Sequence, residues 1–505
     1  MAPADPEVYT TVGRVRGRTE NGMSVFRGIP FAKPPVGARR FRAPEPPEPW
    51  DGVRDATAFG PAAPQAPFPG APPARPGRQA GNDTGEWLTL NVWTPDPGAK
   101  MLPVMFWIHG GAYLFGSSAD PGTDGRKFAE AGAVFVSCNY RLGVEGFGQI
   151  PGAPANRGLL DLVAALRWAQ QNVERFGGDP ANVTVFGESA GAGVISGLLA
   201  MDSARGLFAR AIAQSVPGTV FASDLAADIM AAIAAAAGVP ATYEALSRTE
   251  PMRLVDASMA VTGRMRQFPG WGAVRLSDTP FSPVVDGEVL PRAPWRALLG
   301  GAARDIELLT GHNRDEYRLF IAMSGRLGQI TEDDAATVLA SFAPAPVGPA
   351  GYRKTYPEAD AGRLFELVFS DWLFRMPTLH LAQAHAASGG KTFLYELRAE
   401  APGNGGVFGA CHALDVPLVF GSAGEGLGAM LTGARPPAEF LAVGDLMRAE
   451  WLAFATCGDP GWQVYGTERR TTRVYDLQPD VLPYPEEASM HLWERHRFDA
   501  LGLVS

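Results

Sequence analysis

Cysteine is almost missing from this chain: of 505 residues only Cys138, Cys411 and Cys457 carry a thiol. An odd number at such wide spacing argues against a disulfide framework. Lysine is scarce too, with Lys33, Lys100, Lys127, Lys354 and Lys391 the complete set, so arginine supplies nearly all the positive charge. The net charge of −9 is small for this length and gives no sign of a nucleic-acid partner. No apolar run approaches the roughly eighteen residues of a membrane span. The opening Met1-Ala2-Pro3-Ala4-Asp5-Pro6-Glu7 has neither the basic nor the apolar region of a signal peptide. Together these absences lead to the expectation of a cytoplasmic protein without a membrane span.

What is present reads as a globular α/β chain. Strands are expected at 104–109, 133–139, 183–187, 209–215, 306–310 and 391–397. Between them, residues 159–176 place Leu159, Val163, Leu166 and Val173 on one helical face. Further helices are expected at 364–386, interrupted at Pro377, and at 439–456, stopped by Gly458-Asp459-Pro460. Such alternation indicates a parallel-rich sheet covered on both faces. The length alone would allow two to four domains. No repeat and no linker divides the chain, so one domain over 1–505 is expected. It carries a Pro-rich loop at about 61–85 and helical and loop insertions at about 225–275 and 319–386.

The most informative element is Gly187-Glu188-Ser189-Ala190-Gly191, entered by the apolar run Val183, Val185, Phe186 and left by a small-residue helix. A serine on a sharp strand-to-helix turn takes a strained conformation that pushes its hydroxyl clear of the fold. The flanking glycines remove Cβ atoms that would collide there. Ser189 is therefore the candidate nucleophile. Its hydroxyl is weak at neutral pH and needs a base, usually a histidine oriented by a carboxylate.

On such an elbow the chain order is serine, acid, histidine, which removes His109. His380 and His385 fall in a helical pattern, His491 and His496 in a polar C-terminal stretch, and His312 reads as a loop residue. His412 follows the loop Gly403-Asn404-Gly405-Gly406, and catalytic groups favour loops held by a rigid scaffold. It is the candidate base. The run 306–311 ends in a turn that delivers Asp315 and Glu316, and either carboxylate can serve. The strand 104–108 leads into His109-Gly110-Gly111-Ala112. The N–H groups of that small-residue loop, with that of Ala190, are candidates to hold a developing oxyanion.

These residues resemble the type B carboxylesterases, the α/β-hydrolase branch that includes the cholinesterases. The likeness covers most of the chain. It runs from Phe26-Arg27-Gly28-Ile29-Pro30-Phe31-Ala32 and Pro34-Pro35-Val36-Gly37 through Leu88-Thr89-Leu90-Asn91-Val92-Trp93. It continues in Asn139-Tyr140-Arg141-Leu142-Gly143, Asn156-Arg157-Gly158-Leu159-Leu160-Asp161 and Phe176-Gly177-Gly178-Asp179-Pro180. The resemblance implies an α/β-hydrolase fold, a large mostly parallel central sheet with helices on both faces. It implies hydrolysis of small-molecule esters, broad over short-to-medium acyl groups, through an acyl-enzyme. The family's serine matches Ser189. Its acid is the glutamate of an Asp-Glu-Gly-type motif and matches Glu316. Its histidine heads a His-Ala-x-Asp-x-Pro-type motif and matches His412. Its oxyanion donors match Gly111, Ala112 and Ala190, with Gly110, Glu188 and Ser215 as supporting positions.

The departures are informative. Ala63 and Trp87 stand where the family's first disulfide has cysteines, Val216 follows Gln214-Ser215 where glycine is common, and Tyr317 replaces the glycine after the acid. No match to the choline-binding tryptophan is found, so choline esters are not expected. No metal or cofactor is expected, and the assembly expected is a monomer or weak homo-oligomer. Two alternatives are a serine hydrolase acting mainly on amide, carbamate or polyester bonds, and a non-catalytic binding protein of the same fold. Cys411, beside His412, reads as a buried small hydrophobe rather than a redox switch.

Overall fold

Side-chain alternation along the central strands decides the architecture. Val104, Phe106 and Ile108 join one buried cluster, and Met105 and Trp107 another. The same split separates Val134 and Val136 from Phe135, and Val183 and Val185 from Phe186. A strand buried on both faces has to lie within a sheet covered on both sides.

The computed structural model of the protein describes residues 5–67 and 85–504. Its main sheet has eleven strands: β1 (Arg18–Glu20), β2 (Met23–Pro30), β3 (Thr89–Thr94), β4 (Leu102–Ile108), β5 (Val134–Cys138), β6 (Gly178–Glu188), β7 (Arg210–Gln214), β8 (Glu307–Asn313), β9 (Thr392–Leu397), β10 (Thr471–Tyr475) and β11 (Asp480–Pro483). Their spatial order is β11-β10-β9-β8-β7-β6-β4-β5-β3-β2-β1. Every pairing from β10 across to β5 is parallel. Those outside that block are antiparallel. After β4 the chain passes to one side for β5 and to the other for β6. Open α/β sheets place their sites at such a reversal, beyond the carboxyl ends of the strands. There β4 delivers the loop His109-Gly110-Gly111 and β6 delivers Ser189.

All six expected strands are present. The one at 183–187 is the end of the longer β6, and β8 runs on to Asn313, so His312 is a buried strand residue and not a loop residue. Helices α1 (Arg157–Asn172) and α2 (Ala190–Ala200) follow β5 and β6. The helix expected at 364–386 is two helices, α3 (Ala361–Ser370) and α4 (Met376–Ala387), joined by a π-helical turn at Asp371–Arg375. The interruption lies before Pro377, the second residue of α4; its missing N–H leaves the Leu373 carbonyl, four residues back, to accept from Gly218 N–H at 2.7 Å. Helix α5 (Ala438–Cys457) ends at Gly458 with φ 74°, a left-handed cap, and α6 (Glu487–Trp493) lies near the C-terminus. Of the expected loop 61–85, residues 68–84 lie outside the described residues. The region 225–275 is more helical than expected, with Ser223–Ala236, Tyr243–Arg248 and Pro251–Thr262 in α-helix. No helix among the described residues is long and apolar enough to cross a membrane.

Beneath the elbow Phe186 is packed in an aromatic cluster. Its ring centroid lies 4.9 Å from that of Trp107, 5.3 Å from Phe128 and 5.8 Å from Phe420. Phe186→Ala is expected to cost about 3–5 kcal/mol of unfolding free energy, measured by denaturant titration. A loss below about 1 kcal/mol would show that the cluster collapses around the gap.

Candidate active site

Between the end of β6 at Glu188 and the start of α2 at Ala190, Ser189 has φ 55° and ψ −122°. A non-glycine residue holds such a conformation only where its surroundings fix it. They do so through the backbone: Ser189 N–H donates to the Gln214 carbonyl at 3.0 Å, and the Ser189 carbonyl accepts from Gly193 N–H at 2.9 Å. The flanking glycines are needed because both face the Ile108 carbonyl. A Cβ on Gly187 would stand 2.6 Å from that oxygen, and one on Gly191 2.2 Å.

The structure brings Ser189, His412 and Glu316 together. Ser189 Oγ lies 2.9 Å from His412 Nε2, and His412 Nδ1 lies 2.6 Å from Glu316 Oε2. A carboxylate can only accept, so Nδ1 carries a proton, and in the neutral ring Nε2 is left to accept from the serine hydroxyl. Glu316 is fully buried. It accepts from Ser215 Oγ at 2.6 Å and from Asn313 N–H at 2.8 Å, and its carbonyl accepts from His412 N–H at 3.1 Å. Asp315 faces elsewhere. It accepts from Arg314 at 2.8 Å, Arg363 at 3.1 Å and Ala410 N–H at 3.2 Å. Burial opposes its charge, but Arg314 foremost, with Arg318 and Arg363, holds it down at about 2.

Glu188 adds a second carboxylate to the histidine. Its Oε1 stands 3.0 Å from His412 Nε2, without a well-aligned hydrogen bond. A carboxylate beside a bare imidazole nitrogen would set two acceptors against each other, so this arrangement favours one more proton on the pair. Burial works against a charged His412, but Glu188, Glu316 and Asp415 outweigh it and hold the imidazole up at about 9. Burial pushes Glu188 up to about 8, with His412 pulling the other way. Each group's charge sets the other's, so protons leave the pair in steps that belong to both.

The loop after β4 lies against the nucleophile. A Cβ on Gly110 would stand 2.8 Å from Glu188 Oε2 and 3.3 Å from Ser189 Cβ. Ala112 and Tyr113 hold φ of 53° and 60°. The N–H groups of Gly111 and Ala112 make no hydrogen bond among the described residues. Ala190 opens α2, where first-turn amides have no intrahelical acceptor.

The departures noted in the sequence are absorbed by packing. Val216 is buried, and its N–H donates to Thr378 Oγ1 at 2.9 Å. Tyr317 has an ordinary helical φ of −77°, so no glycine is required, and its ring stacks on Phe369 at 3.9 Å. Ala63 and Trp87 are buried apolar residues. Residue reading missed the support around Asp415, which is buried behind the histidine and accepts from Gln214 Nε2 at 2.8 Å and Tyr395 Oη at 2.9 Å. It also missed Phe320 and Phe374, whose rings lie 5.2 Å and 4.1 Å from that of His412. The Asp415 position was visible in the sequence motif; nothing local pointed to the two phenylalanines.

Comparison with known proteins defines the family and the fold. The pattern of the Carboxylesterase family matches residues 4–481. The para-nitrobenzyl esterase of Bacillus subtilis (strain 168) is 36% identical over 493 residues, spanning 95% of this chain and 96% of its own. The phenmedipham hydrolase of Pseudarthrobacter oxydans is 33% identical over 463 residues, 90% of each chain. The crystal structure of a Geobacillus stearothermophilus carboxylesterase superposes with a TM-score of 0.84 at 35% identity, covering 96% of this chain and 99% of that one. The protein is thus a serine ester hydrolase of the α/β-hydrolase fold. The chain belongs to the carboxylesterase family.

Cys411 is fully buried, and burial pushes its thiol well above the usual range. Cys138 is also buried, whereas Cys457 is exposed. Alkylation of the native enzyme is expected to mark Cys457 alone, read by peptide mass spectrometry, and to leave ester hydrolysis unchanged. Activity lost in step with modification of Cys411 would contradict this.

Proposed function

We propose that the protein hydrolyses carboxylic esters by two-step acyl transfer, with Ser189 as nucleophile, His412 as general base and acid, and Glu316 as the carboxylate that orients the imidazole. The observation that carries this reading is the hydrogen-bonded chain Ser189 Oγ–His412–Glu316 at 2.9 and 2.6 Å. Ser189 Oγ attacks the ester carbonyl carbon as its proton passes to His412 Nε2. The carbonyl oxygen gathers charge toward the N–H groups of Gly111, Ala112 and Ala190, with Gly110 giving close approach. The carbon–oxygen bond to the alcohol then breaks, and the alcohol leaves with the proton from Nε2. Water repeats the sequence on the acyl-enzyme and releases the acid. Ser215 holds Glu316 through its hydroxyl, and Glu188 adds negative potential beside the imidazolium that forms in each step. The three groups come from distant parts of the chain, which favours residues 1–505 working as one catalytic domain.

Short-to-medium acyl esters are the proposed substrates. A para-nitrobenzyl ester is the natural first probe, since a relative at 36% identity is named for that activity. The relative named phenmedipham hydrolase favours a second reading, in which the same three groups cut the bond hydrolysed in phenmedipham. Turnover of the two substrates side by side decides which dominates.

Ser189→Ala is expected to lower kcat by roughly 10⁴- to 10⁶-fold and to abolish labelling by a fluorophosphonate probe. Activity retained by that variant on a p-nitrophenyl acyl ester would remove the assignment. A second prediction concerns pH. kcat/KM requires neutral His412 in the free enzyme, so it falls as pH drops through the histidine pKa. Because Glu188 is the leading contribution that raises that pKa, Glu188→Gln is expected to move the acidic limb of the kcat/KM profile to lower pH. An unmoved limb would show that Glu188 does not act on the histidine.

A further inference from the structure

The π-helical turn between α3 and α4 touches the proposed base and the segments beside the proposed acid and Ser215. A π-turn inserts an extra residue into a helix and shifts the side chains that follow; such turns are frequent at functional sites. Here the shifted residues include Phe374, whose ring is stacked on the His412 imidazole with centroids 4.1 Å apart and planes 26° apart. The same segment grips the acid from both sides. Arg375 donates to the Arg314 carbonyl at 3.1 Å, two residues before Glu316, and Ser370 Oγ accepts from Tyr317 N–H at 3.0 Å, one residue after it. It also holds the loop that follows Ser215, where the Leu373 carbonyl accepts from Gly218 N–H at 2.7 Å.

The turn is pinned from the far side by a fully buried ion pair. Arg375 donates to Asp371 Oδ1 at 2.8 and 2.6 Å, and both side chains are 0% exposed. Asp371 Oδ2 accepts from Tyr352 Oη at 2.7 Å and from Ser489 Oγ, on α6, at 2.6 Å. Glu486 accepts from Arg375 at 3.2 Å. A buried pair tied at this many points leaves the turn little freedom.

We propose that Phe374 is a positioning residue for His412, presented by this turn, and that its ring face holds the imidazole in plane and favours the imidazolium formed during each proton transfer. The proposal rests on His412 being the base. The negative face of a phenyl ring attracts a cation within about 6 Å of its centroid. The charged groups facing His412 are Glu188 at the end of β6, Glu316 after β8 and Asp415, which opens the short helix Asp415–Phe420 after the histidine. Phe374 and Phe320 supply uncharged faces, so replacing Phe374 leaves those three charges in place.

The test is Phe374→Leu, which keeps an apolar side chain and removes the π face, with Phe374→Tyr as the ring-retaining variant. Folding is checked by thermal melting. Should the leucine variant melt below the assay temperature, Phe374→Met replaces it, being flexible, apolar and equally without a π face. The expected loss in plateau kcat/KM is about 3- to 30-fold, equal for p-nitrophenyl acetate and p-nitrophenyl butyrate, with tyrosine restoring most of it. The sign of the pH effect follows from the imidazolium: without its ring partner the histidine gives up its proton more readily, so the acidic limb moves to lower pH. Two outcomes would overturn the proposal. One is wild-type behaviour of the leucine variant; the other is a loss that depends on acyl length with an unmoved acidic limb, which marks Phe374 as an acyl-pocket wall only. His412→Ala run in parallel separates the readings: activity kept by that variant removes His412 as base, whereas an inactive His412→Ala beside an unaffected Phe374→Leu removes only the positioning role.

Discussion

A carboxylate with no access to water must find all its hydrogen bonds inside the protein, and Glu316 imposes that condition on everything around it. It is supplied by Ser215 Oγ, Asn313 N–H and His412 Nδ1. Each donor has to be fixed in turn, because a buried anion left short of partners costs several kcal/mol. Ser215 N–H is held by the Gly311 carbonyl on β8, and Asn313 Nδ2 reaches the Cys411 carbonyl at 2.7 Å. The strand ends of β7 and β8 and the histidine loop are therefore parts of one hydrogen-bonded unit. The proposed base inherits its orientation from that unit rather than from its own loop.

The same region concentrates backbone strain. Ala112, Tyr113, Ser189, Ser215 and Ala413 are non-glycine residues with φ between 53° and 62°. Each such conformation costs of order 1–3 kcal/mol and persists only when its surroundings over-determine it. Here the surroundings are backbone hydrogen bonds and close carbonyl contacts, which cannot relax without opening the sheet. The strain turns side chains and N–H groups outward at the carboxyl edge of the sheet. The aromatic cluster under Phe186 and the two-sided burial of β4 and β6 make that edge stiff.

Much of this was legible in local pattern. Short continuous apolar runs marked the six central strands, and helical spacing marked α1 and α5, because both signals lie within a few residues. The elbow at Ser189 and the loop at Gly110-Gly111-Ala112 were legible because tight approach to a carbonyl demands glycine or alanine at fixed offsets. Other features left no local mark. The strands β1 and β11 are only three and four residues long, and β2 and β10 join the sheet through β3 and β9, which lie far along the chain. The π-turn is held by groups from Tyr352 and from residues 486–489, so Pro377 drew the expected break to the wrong place. His312 was misplaced because burial beside Tyr484, 172 residues away, cannot be read from its neighbours.

The sequence by itself determined the family, the sheet with helices on both faces, and the serine on its elbow, since these rest on periodicity and on motifs of adjacent residues. Of two neighbouring carboxylates, residue reading left Asp315 and Glu316 open, and only the resemblance chose between them. The tertiary structure put Glu316 against His412 and turned Asp315 to Arg314, Arg363 and Ala410. It also decided that Phe374 meets the imidazole and that Glu188 reaches the same nitrogen as the nucleophile. Adjacent side chains leave the backbone in different directions, so which of them faces a partner a hundred residues away depends on the packing of both segments, and no local pattern carries it.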